Sequence, residues 1–373
     1  MIIFLDSTLG GDNIEFSDSE LNALELIAQS ACQGHHLVLV DGKLAKSLMG
    51  ELDKFSARAS AFFKRQYERL SSSPRHLLRD SSVIINVCND DCITASSVNS
   101  QTIIKCPLRN LDSSTILQPL TLACEDSYDC NFFLILANHY RSRLHLQAFE
   151  IRVTHAHCGG SGAERVIGEL IREKKIFLVI TDSDKSSPSD VLGRTAKAVS
   201  KTLNATQHKL YEHIILNCRE VENLIPDRVL GHVFNQNPRC SELLHRFSEA
   251  NLDAPRLYGD FKEGITLHQM RKFASAANES MQSIFTKIED DSAQHLNSFC
   301  ISHSECANSE CMCIVFPSNG GKESTILKRS IIELKKMGGC ELWDGICEAH
   351  LRELDRVLKA IVFWGLASNP IRA

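Results

Sequence analysis

Short apolar runs that stop at acidic residues, separated by stretches of helical spacing, constrain the fold of this chain most strongly. Alternating strand and helix patterns of this kind are typical of an α/β layer built on a mostly parallel sheet. In the first 112 residues, helical spacing occupies 20–31 and 43–70. The apolar runs there, with the acids that follow them, are 1–5 with Asp6, 37–40 with Asp41, and 83–87 with Asp90 and Asp91.

The pattern divides the chain into three parts. Residues 1–112 and 113–230 are each predicted to form an α/β domain, and residues 231–373 are mainly helical in periodicity with a cysteine-rich segment. Short apolar runs such as those of the second part are typical of parallel strands covered on both faces. In that part we predict strands at 120–124, 149–154, 176–181 and 213–217, and helices at 131–140, 163–172 and 191–203.

Composition excludes several classes of protein. Hydrophobic residues make up 43% and charged residues 23% of the 373, which argues against a disordered or fibrous chain. No apolar run approaches the roughly 20 residues that cross a bilayer, and the N-terminal MIIFL is too short for a signal peptide. We therefore expect a soluble cytoplasmic protein without a membrane partner, whose 15 cysteines are reduced. A net charge of −5 argues against a wholly basic nucleic-acid coat protein.

Acidic residues follow three of the predicted strands of the second part. Ligands of parallel sheets gather outside the carboxyl ends of the strands, so these acids are expected to meet at one edge. If the chain stays extended after the third strand, Ser183 directs its two neighbouring aspartates to the same side. The three groups are Glu125, Asp126 and Asp129; Asp182 and Asp184; and Glu220 and Glu222.

Such an oxygen-rich edge predicts a site for Mg²⁺ or Mn²⁺. Unpaired carboxylates repel and raise one another's pKa, and a divalent cation supplies the counter-charge. A metal held there can activate water and stabilise displacement at phosphorus. The alternative for any single acid is a helix-capping role, which Asp126 and Asp129 both suit.

The acidic pattern resembles the Toprim fold of topoisomerases, primases and the OLD-like nucleases of prokaryotic genome defence. The residues that carry the resemblance are Glu125 with Asp129, then Asp182-Ser-Asp184, then Arg-Glu-x-Glu-Asn at 219–223. A glycine-rich segment, 157–162, lies between the first two motifs and makes the OLD-like nucleases the nearest group. Asp126 stands where the family usually has a glycine.

The resemblance implies a divalent-metal-dependent endonuclease that hydrolyses DNA or RNA phosphodiesters, acting as the toxic effector of an antiphage system. It assigns Glu125 as acid, base or metal ligand, Asp182 and Asp184 as catalytic metal ligands, and Asp129, Glu220 and Glu222 as further metal ligands. No ATPase motif of the form G-x-x-x-x-G-K-[ST] occurs, so nucleotide hydrolysis would come from a partner. The resemblance also implies a regulatory or ATPase partner protein. Formation of a homo-oligomer is compatible with the sequence.

Four residues are predicted to contact substrate phosphate. A glycine-rich turn between a strand and a helix can cradle phosphate with its backbone N–H groups, although glycine also serves ordinary tight turns. A lysine beside an acidic turn can contact phosphate or be merely solvated. The four candidates are Gly159, Gly160, Ser161 and Lys185.

Two alternative hypotheses do not place a catalytic site in the second domain. In one, the first domain is a PIN-like RNase whose acids surround a metal, although acids after strands are also common cap residues. In the other, the second domain is a non-catalytic Toprim scaffold that binds nucleic acid or an ATPase partner. The acids of the first domain are Asp6, Asp41, Glu51, Asp90 and Asp91.

The cysteine-rich segment from Cys300 to Cys313 can be read as a Zn²⁺ site or as buried free thiols. Soft ligands in this number suit tetrahedral zinc, but the spacing lacks paired CxxC knuckles, which favours buried thiols. The candidate ligands are Cys300, His303, Cys306, Cys311 and Cys313, followed by Cys340, Cys347 and His350.

Several separate runs of basic residues could together contact the backbone of a nucleic acid. They are Lys64, Arg65, Arg69, Arg75, His76 and Arg79; Arg141, Arg143 and Arg152; and Lys328, Arg329, Lys335 and Lys336.

Overall fold

A computed structural model describes most of the chain and gives the positions of the predicted elements. The described residues are 1–10, 15–98, 101–111, 114–159, 162–234, 237–249, 252–275, 277, 279–293, 313–317, 325–338 and 341–370. Gly160 and Ser161 lie outside the described residues, as do the cysteine-rich residues Cys300–Cys311 and Cys340.

The first part of the chain forms a five-stranded sheet, the first sheet, in the order β2-β1-β3-β5-β4. All neighbours are parallel except the edge strand β4, which is antiparallel to β5. The strands are β1 (Ile2–Leu5), β2 (Leu37–Val40), β3 (Val83–Cys88), β4 (Thr94–Val98) and β5 (Gln101–Pro107). The helices are α1 (Asp18–Cys32), α2 (Gly42–Leu48), α3 (Ala57–Glu68) and α4 (Leu77–Asp80). The three strands predicted for this part are thus confirmed.

Two features of the first sheet differ from the sequence-based expectation. The helical stretch 43–70 is two helices, because a 3-10 turn at Leu52–Lys54 interrupts it and Ser56 then caps α3 by accepting a hydrogen bond from Ala59 N. The hairpin β4–β5 was not predicted. Its first strand is exposed at every position and therefore has no apolar face to mark it.

The second sheet has four strands in the order β10-β9-β6-β8, and every neighbouring pair is parallel. Its predicted helices and three of its four predicted strands are confirmed, and α6 has the predicted bounds. The strand predicted at 149–154 is instead two strands, at 150–151 and 153–157, and only the second belongs to this sheet because the first pairs with the final strand of the chain. The strands are β6 (Leu120–Cys124), β8 (Val153–His157), β9 (Phe177–Thr181) and β10 (Tyr211–Ile215), with the short β7 (Glu150–Ile151) beside them. The helices are α5 (Ser127–Arg143), α6 (Ala163–Arg172) and α7 (Arg194–Asn204).

The remaining part is mainly helical, as predicted. The helices are α8 (Asp227–Val233), α9 (Pro238–Glu249), α10 (Asp253–Tyr258), α11 (Leu267–Ser275), α12 (Glu279–Ala293), α13 (Thr325–Leu334) and α14 (Glu348–Gly365). Three short strands accompany them: β11 (Gly264–Thr266), β12 (Ile314–Pro317) and β13 (Leu366–Ala367). None of the helices among the described residues is long and apolar enough to cross a bilayer.

The last helix ties the helical part to the second sheet. Its apolar stripe, which includes Leu354, Val357 and Leu358, is buried. The strand after it, β13, pairs antiparallel with β7. One continuous apolar core therefore extends from β1 to β13, and α14 packs on α5 within it. The chain is an α/β protein with one mixed and one fully parallel large sheet.

Candidate functional site

The second sheet has a topological switch point between β6 and β9. The chain leaves β6 to form β8 on one side and then returns to form β9 on the other side. In open parallel sheets, ligands bind in the crevice outside the carboxyl ends of the two strands at such a point. Glu125 directly follows β6, and Asp182 directly follows β9. The two predicted carboxylates therefore flank the position where this topology places a ligand.

The acids predicted in this region lie close enough to affect one another's ionisation. We call them the acidic cluster. The repulsion is strongest on Asp129, Asp182 and Glu222, because these three side chains are buried where the dielectric constant is low. The acidic cluster consists of Glu125, Asp129, Asp182, Asp184, Glu220 and Glu222.

Glu125 is half-buried and its carboxylate is incompletely satisfied. Its Oε1 atom is buried and accepts no hydrogen bond from the described residues. Burial raises the pKa of Glu125, and the neighbouring Asp184 carboxylate raises it further. A buried acceptor without a donor is uncommon in native proteins and calls for a ligand or a chemical role.

Asp129 combines a capping role with a place in the acidic cluster. Its Oδ2 atom accepts a hydrogen bond of 2.8 Å from Asp126 N, while Asp126 caps α5 through Tyr128 N. The helix-capping alternative is thus correct for both residues. Asp129 is nevertheless buried, and burial together with repulsion from Glu222 raises its pKa to about 7.

Asp182 is the most perturbed acid of the cluster. Its side chain is only 8% exposed, and its Oδ1 atom accepts a hydrogen bond of 3.1 Å from Val221 N. Burial raises its pKa well above the ordinary value, and Asp129 and Glu125 raise it further. The fold thus holds Asp182 in place through the backbone while its neighbours disfavour its charge.

The chain after β9 is not extended, so the expected simple alternation of Asp182 and Asp184 is wrong. Asp184 has φ of +55°, and both Ser183 N and Asp184 N donate to Arg219 O, at 3.2 and 3.0 Å. The turn directs the Asp184 carboxylate against the backbone of Gly193. A Cβ atom at Gly193 would lie 1.9 Å from Asp184 Oδ2, so only glycine fits there.

Lys262 is a cation of the acidic cluster that sequence analysis missed. Its Nζ atom lies 3.1 Å from Glu220 Oε2 and 3.1 Å from Glu222 Oε2. Although burial opposes its charge, Glu222, Glu220 and Asp182 raise the pKa of Lys262. The lysine comes from the helical part, 40 positions beyond the last acid, and no local pattern in its surroundings marks it. It supplies part of the counter-charge that we had assigned entirely to a metal.

The segment that carries Glu220 and Glu222 is fixed by buried polar contacts. Asn223 Oδ1 accepts from Glu220 N, and Asn223 Nδ2 donates to Arg256 O at 3.1 Å. The buried Arg256 guanidinium donates to Asn223 O at 2.7 Å and pairs with Asp227 at 2.6 Å. The final asparagine of the Arg-Glu-x-Glu-Asn motif therefore positions the two glutamates.

The glycine-rich turn lies beside Glu125, as the parallel pairing of β8 with β6 requires. Gly159 N donates to Glu125 O at 3.0 Å, and its φ of +57° explains the glycine. Lys185 directs its Nζ atom to Pro188 O, 3.4 Å away in its own loop. Phosphate contact by Gly159, Lys185 and the undescribed Gly160 and Ser161 stays a prediction.

The acids of the first sheet have local partners. Asp41 caps α2 through Lys43 N, and the remaining acids form ion pairs: Glu51 with Lys54, Asp90 with Lys105, and Asp91 with Arg109. Asp6 accepts from Thr8 N and from Asn86 Nδ2. Burial alone would raise the pKa of Asp6, but these hydrogen bonds outweigh it and lower the pKa.

Most of the predicted basic residues also contact their own neighbourhood. Arg75 donates to Val40 O, Arg152 pairs with Glu150, and Lys336 pairs with Glu333. Lys328 is different, because its Nζ atom lies 4.8 Å from the ring centroid of Tyr128. Tyr128 is exposed in the first turn of α5, one residue before Asp129. This cation–aromatic pair therefore lies at the start of the helix that carries Asp129.

The donor set of the acidic cluster suits a hard divalent cation, although its geometry is not that of a formed metal site. Among the described residues, no three His, Cys, Asp or Glu side chains are arranged to hold a metal ion. Lys262 engages Glu220 and Glu222, and the turn at Asp184 packs its carboxylate on Gly193. The oxygen-only donors and the unpaired Glu125 Oε1 nevertheless match the chemistry of Mg²⁺ or Mn²⁺. Most of the candidate zinc ligands lie outside the described residues. Cys313, Cys347 and His350 are described and buried, and neither cysteine forms a disulfide.

Added Mg²⁺ is expected to stabilise the protein more at about pH 8 than at about pH 5. The raised pKa values mean that the folded cluster keeps protons which the unfolded chain loses near pH 4, so stability falls as pH rises toward about 7, the pKa of Asp129. A cation that binds the ionised cluster offsets this loss, by about 2.7 kcal/mol at a hundredfold excess over its dissociation constant. Calorimetric melting of EDTA-treated protein measures the effect, with NaCl at matched ionic strength as control. Equal shifts at both pH values would contradict it.

Comparisons of the chain with protein-family models, with curated proteins and with solved structures find no match. The functional argument therefore depends on the geometry of the acidic cluster.

Proposed function

We propose that the chain is a divalent-metal-dependent endonuclease whose active site is the acidic cluster. The observation that carries the proposal is the convergence of buried carboxylates with raised pKa values on the switch point of a parallel sheet. Burying like charges together costs stability, and such clusters are typical of functional sites. The Toprim-like order of the same residues along the chain supports this reading.

We assign different roles to the residues of the acidic cluster and to Lys262. Glu125, Asp182 and Asp184 hold the divalent cation, which when bound supplies Lewis-acid stabilisation at phosphorus and a more acidic water. Asp129 and Glu222 complete the negative surroundings. The raised pKa of Glu125 lets its carboxyl group exchange a proton closer to neutral pH than an ordinary glutamate does. Lys262 reduces the net negative charge of the acidic cluster, and its ammonium group can stabilise negative charge on the oxygens of the scissile phosphate.

Nucleic acid as the substrate is supported by the cation–aromatic pair. The exposed Tyr128 ring, with Lys328 against it, offers stacking and a positive charge at the start of the helix that carries Asp129. Aromatic rings with neighbouring cations are the common way to hold unstacked bases. The described N–H groups of the glycine-rich turn give no such support, because Gly159 N donates to Glu125 O and Gly162 N donates to Gly159 O. The antiphage role and an ATPase partner follow only from the Toprim-like resemblance.

Purified protein incubated with plasmid DNA and with single-stranded RNA tests this proposal. We expect cleavage of at least one substrate in Mg²⁺ or Mn²⁺ and its loss in EDTA. Cleavage that persists in EDTA would contradict the role of the metal.

A non-catalytic scaffold is the second candidate, and Lys262 is the observation that favours it. A lysine already paired with two of the acids could serve as a permanent counter-ion in a site that never receives a metal. This candidate predicts nucleic-acid binding without cleavage and no stabilisation by Mg²⁺. The RNase reading of the first domain has less support, because its acids are satisfied by local partners.

A further inference from the structure

A cavity of about 660 Å³ lies at the opposite end of the second sheet from the acidic cluster. Ile176 and Leu210, which line it, directly precede β9 and β10, whereas the acids follow the carboxyl ends of β6, β9 and β10. Five-residue strands separate the two ends by about 17 Å at roughly 3.3 Å per residue. A ligand in this cavity would therefore not contact the acidic cluster.

Among the described residues that line the cavity, two carry cationic side chains and none carries a carboxylate. The Lys174 side chain is exposed, and its Nζ atom makes no hydrogen bond or ion pair with the described residues. Arg109 engages only its Nη2 amino group, which donates to Asp91 O at 2.7 Å and lies 3.3 Å from Asp91 Oδ1. Since a guanidinium carries five N–H donors, most of those of Arg109 are available to a ligand.

The pKa of His208 is affected by the positive charges at the cavity wall. Burial lowers the pKa of His208, and the nearby charges of Lys174 and Lys209 lower it further. Its Nε2 atom lies 2.7 Å from Lys175 O, and its ring stacks on Phe177 with centroids 6.0 Å apart. The ring is thus held in place, and its lowered pKa keeps it neutral at ordinary pH.

The remaining lining combines apolar walls with neutral polar groups. Ile93, Ile116 and Ile171 provide apolar surface, while Asn110 and Gln207 provide amide donors and acceptors. The volume lies within the range of about 300–1,000 Å³ for sites of small molecules. Such a lining suits a ligand with one anionic end and a less polar body that carries hydrogen-bonding edges.

We propose that this cavity binds a nucleoside phosphate, with the phosphate on Arg109 and Lys174 and the base between the isoleucines and the two amides. This site is independent of the proposed nuclease activity. Because the cavity joins the segment that leaves the first sheet to the turns that enter β9 and β10, a bound nucleotide would also hold these parts together.

Isothermal titration of the full chain with adenosine monophosphate in EDTA tests the proposal, since EDTA removes metal-dependent binding at the acidic cluster. We expect one saturable site, and binding of inorganic phosphate that is weaker by about tenfold or more because it lacks the base. Lys174→Asn and Arg109→Gln should each weaken nucleotide binding by about tenfold. Asparagine suits the φ of +53° at position 174, so this variant should fold. Lys201→Asn on the exposed face of α7 is the matched control and should bind normally.

A second measurement uses His208 and needs no variant. Binding of the phosphate beside Lys174 should raise the pKa of His208, which NMR titration of the ring protons detects. Absence of binding, equal binding by wild type and both cavity variants, or phosphate binding as tight as that of the nucleotide would each overturn the proposal.

Discussion

Asp182→Asn is expected to stabilise the folded protein and abolish nucleic-acid cleavage. The substitution keeps the side-chain oxygen that accepts from Val221 N but removes a buried charge which Asp129 and Glu125 repel. Because the folded pKa is raised, the gain should be small near pH 4 and grow as pH increases, reaching about 1–2 kcal/mol. Denaturant unfolding at several pH values measures the stability, and the plasmid and RNA assay measures cleavage. A loss of activity of about a thousandfold is expected for a metal ligand.

Asp6→Asn is the matched control for this substitution. Asp6 follows β1, where the strand order of the first sheet reverses, as Glu125 follows β6 in the second sheet, but its pKa is lowered because hydrogen bonds favour its charge. Its neutralisation should therefore destabilise the protein above pH 4 and leave cleavage intact. If Asp182→Asn is destabilising at pH 8, repulsion within the acidic cluster does not lower the stability of the folded protein.

Lys262→Met is expected to destabilise the protein strongly at neutral pH. Methionine fills a similar volume but leaves Glu220 and Glu222 without the ammonium group that lies 3.1 Å from each. Removing one partner of a buried ion pair costs about 3–5 kcal/mol, and we expect the lower end because Lys262 is half-buried. The loss should shrink as pH falls, because burial raises the pKa of Glu222 and its protonation reduces the repulsion, and Mg²⁺ should restore part of the lost stability.

Lys272→Met provides the control for the loss of a lysine. Lys272 lies 3.4 Å from Asp190, and both side chains are substantially exposed, so this surface pair should contribute less than about 1 kcal/mol. Denaturant unfolding at two pH values compares the variants. Equal and pH-independent losses in both would show that Lys262 is an ordinary surface lysine.

The strands and the positions of the acids could be predicted because both depend on local patterns. Buried parallel strands such as Leu120–Cys124 are mostly apolar, and the acids directly follow them in the sequence. The parallel topology then brings these strand ends together at one edge. Local sequence and a general rule of sheet topology therefore suffice to locate Glu125 and Asp182 near one another.

The details that decide the electrostatics could not be predicted in this way. Lys262 reaches the cluster from a distant segment, and the left-handed turn at Asp184 depends on the contact with Gly193 and on Arg219 O. The exposed β4 lacks an apolar face. Each of these features is set by tertiary contacts, which a pattern in one segment does not record.

The first sheet shows why acids after strands are insufficient evidence by themselves. Its order also reverses between β1 and β3, and Asp6 and Asp41 follow neighbouring strands. There, however, each acid caps a helical turn or pairs with a neighbouring side chain. The distinguishing property of the second sheet is shared burial, which appears only once the fold is known.

The most direct test of the account is the rate of Mg²⁺-dependent cleavage by Glu125→Gln beside that of Asp6→Asn, with plasmid DNA and RNA as substrates. Glutamine preserves the shape of the buried side chain whose Oε1 atom has no donor, so folding should be unaffected. We predict that cleavage is lost in Glu125→Gln and retained in Asp6→Asn. Cleavage that survives Glu125→Gln and disappears in Asp6→Asn would contradict the account and place the active site in the first sheet.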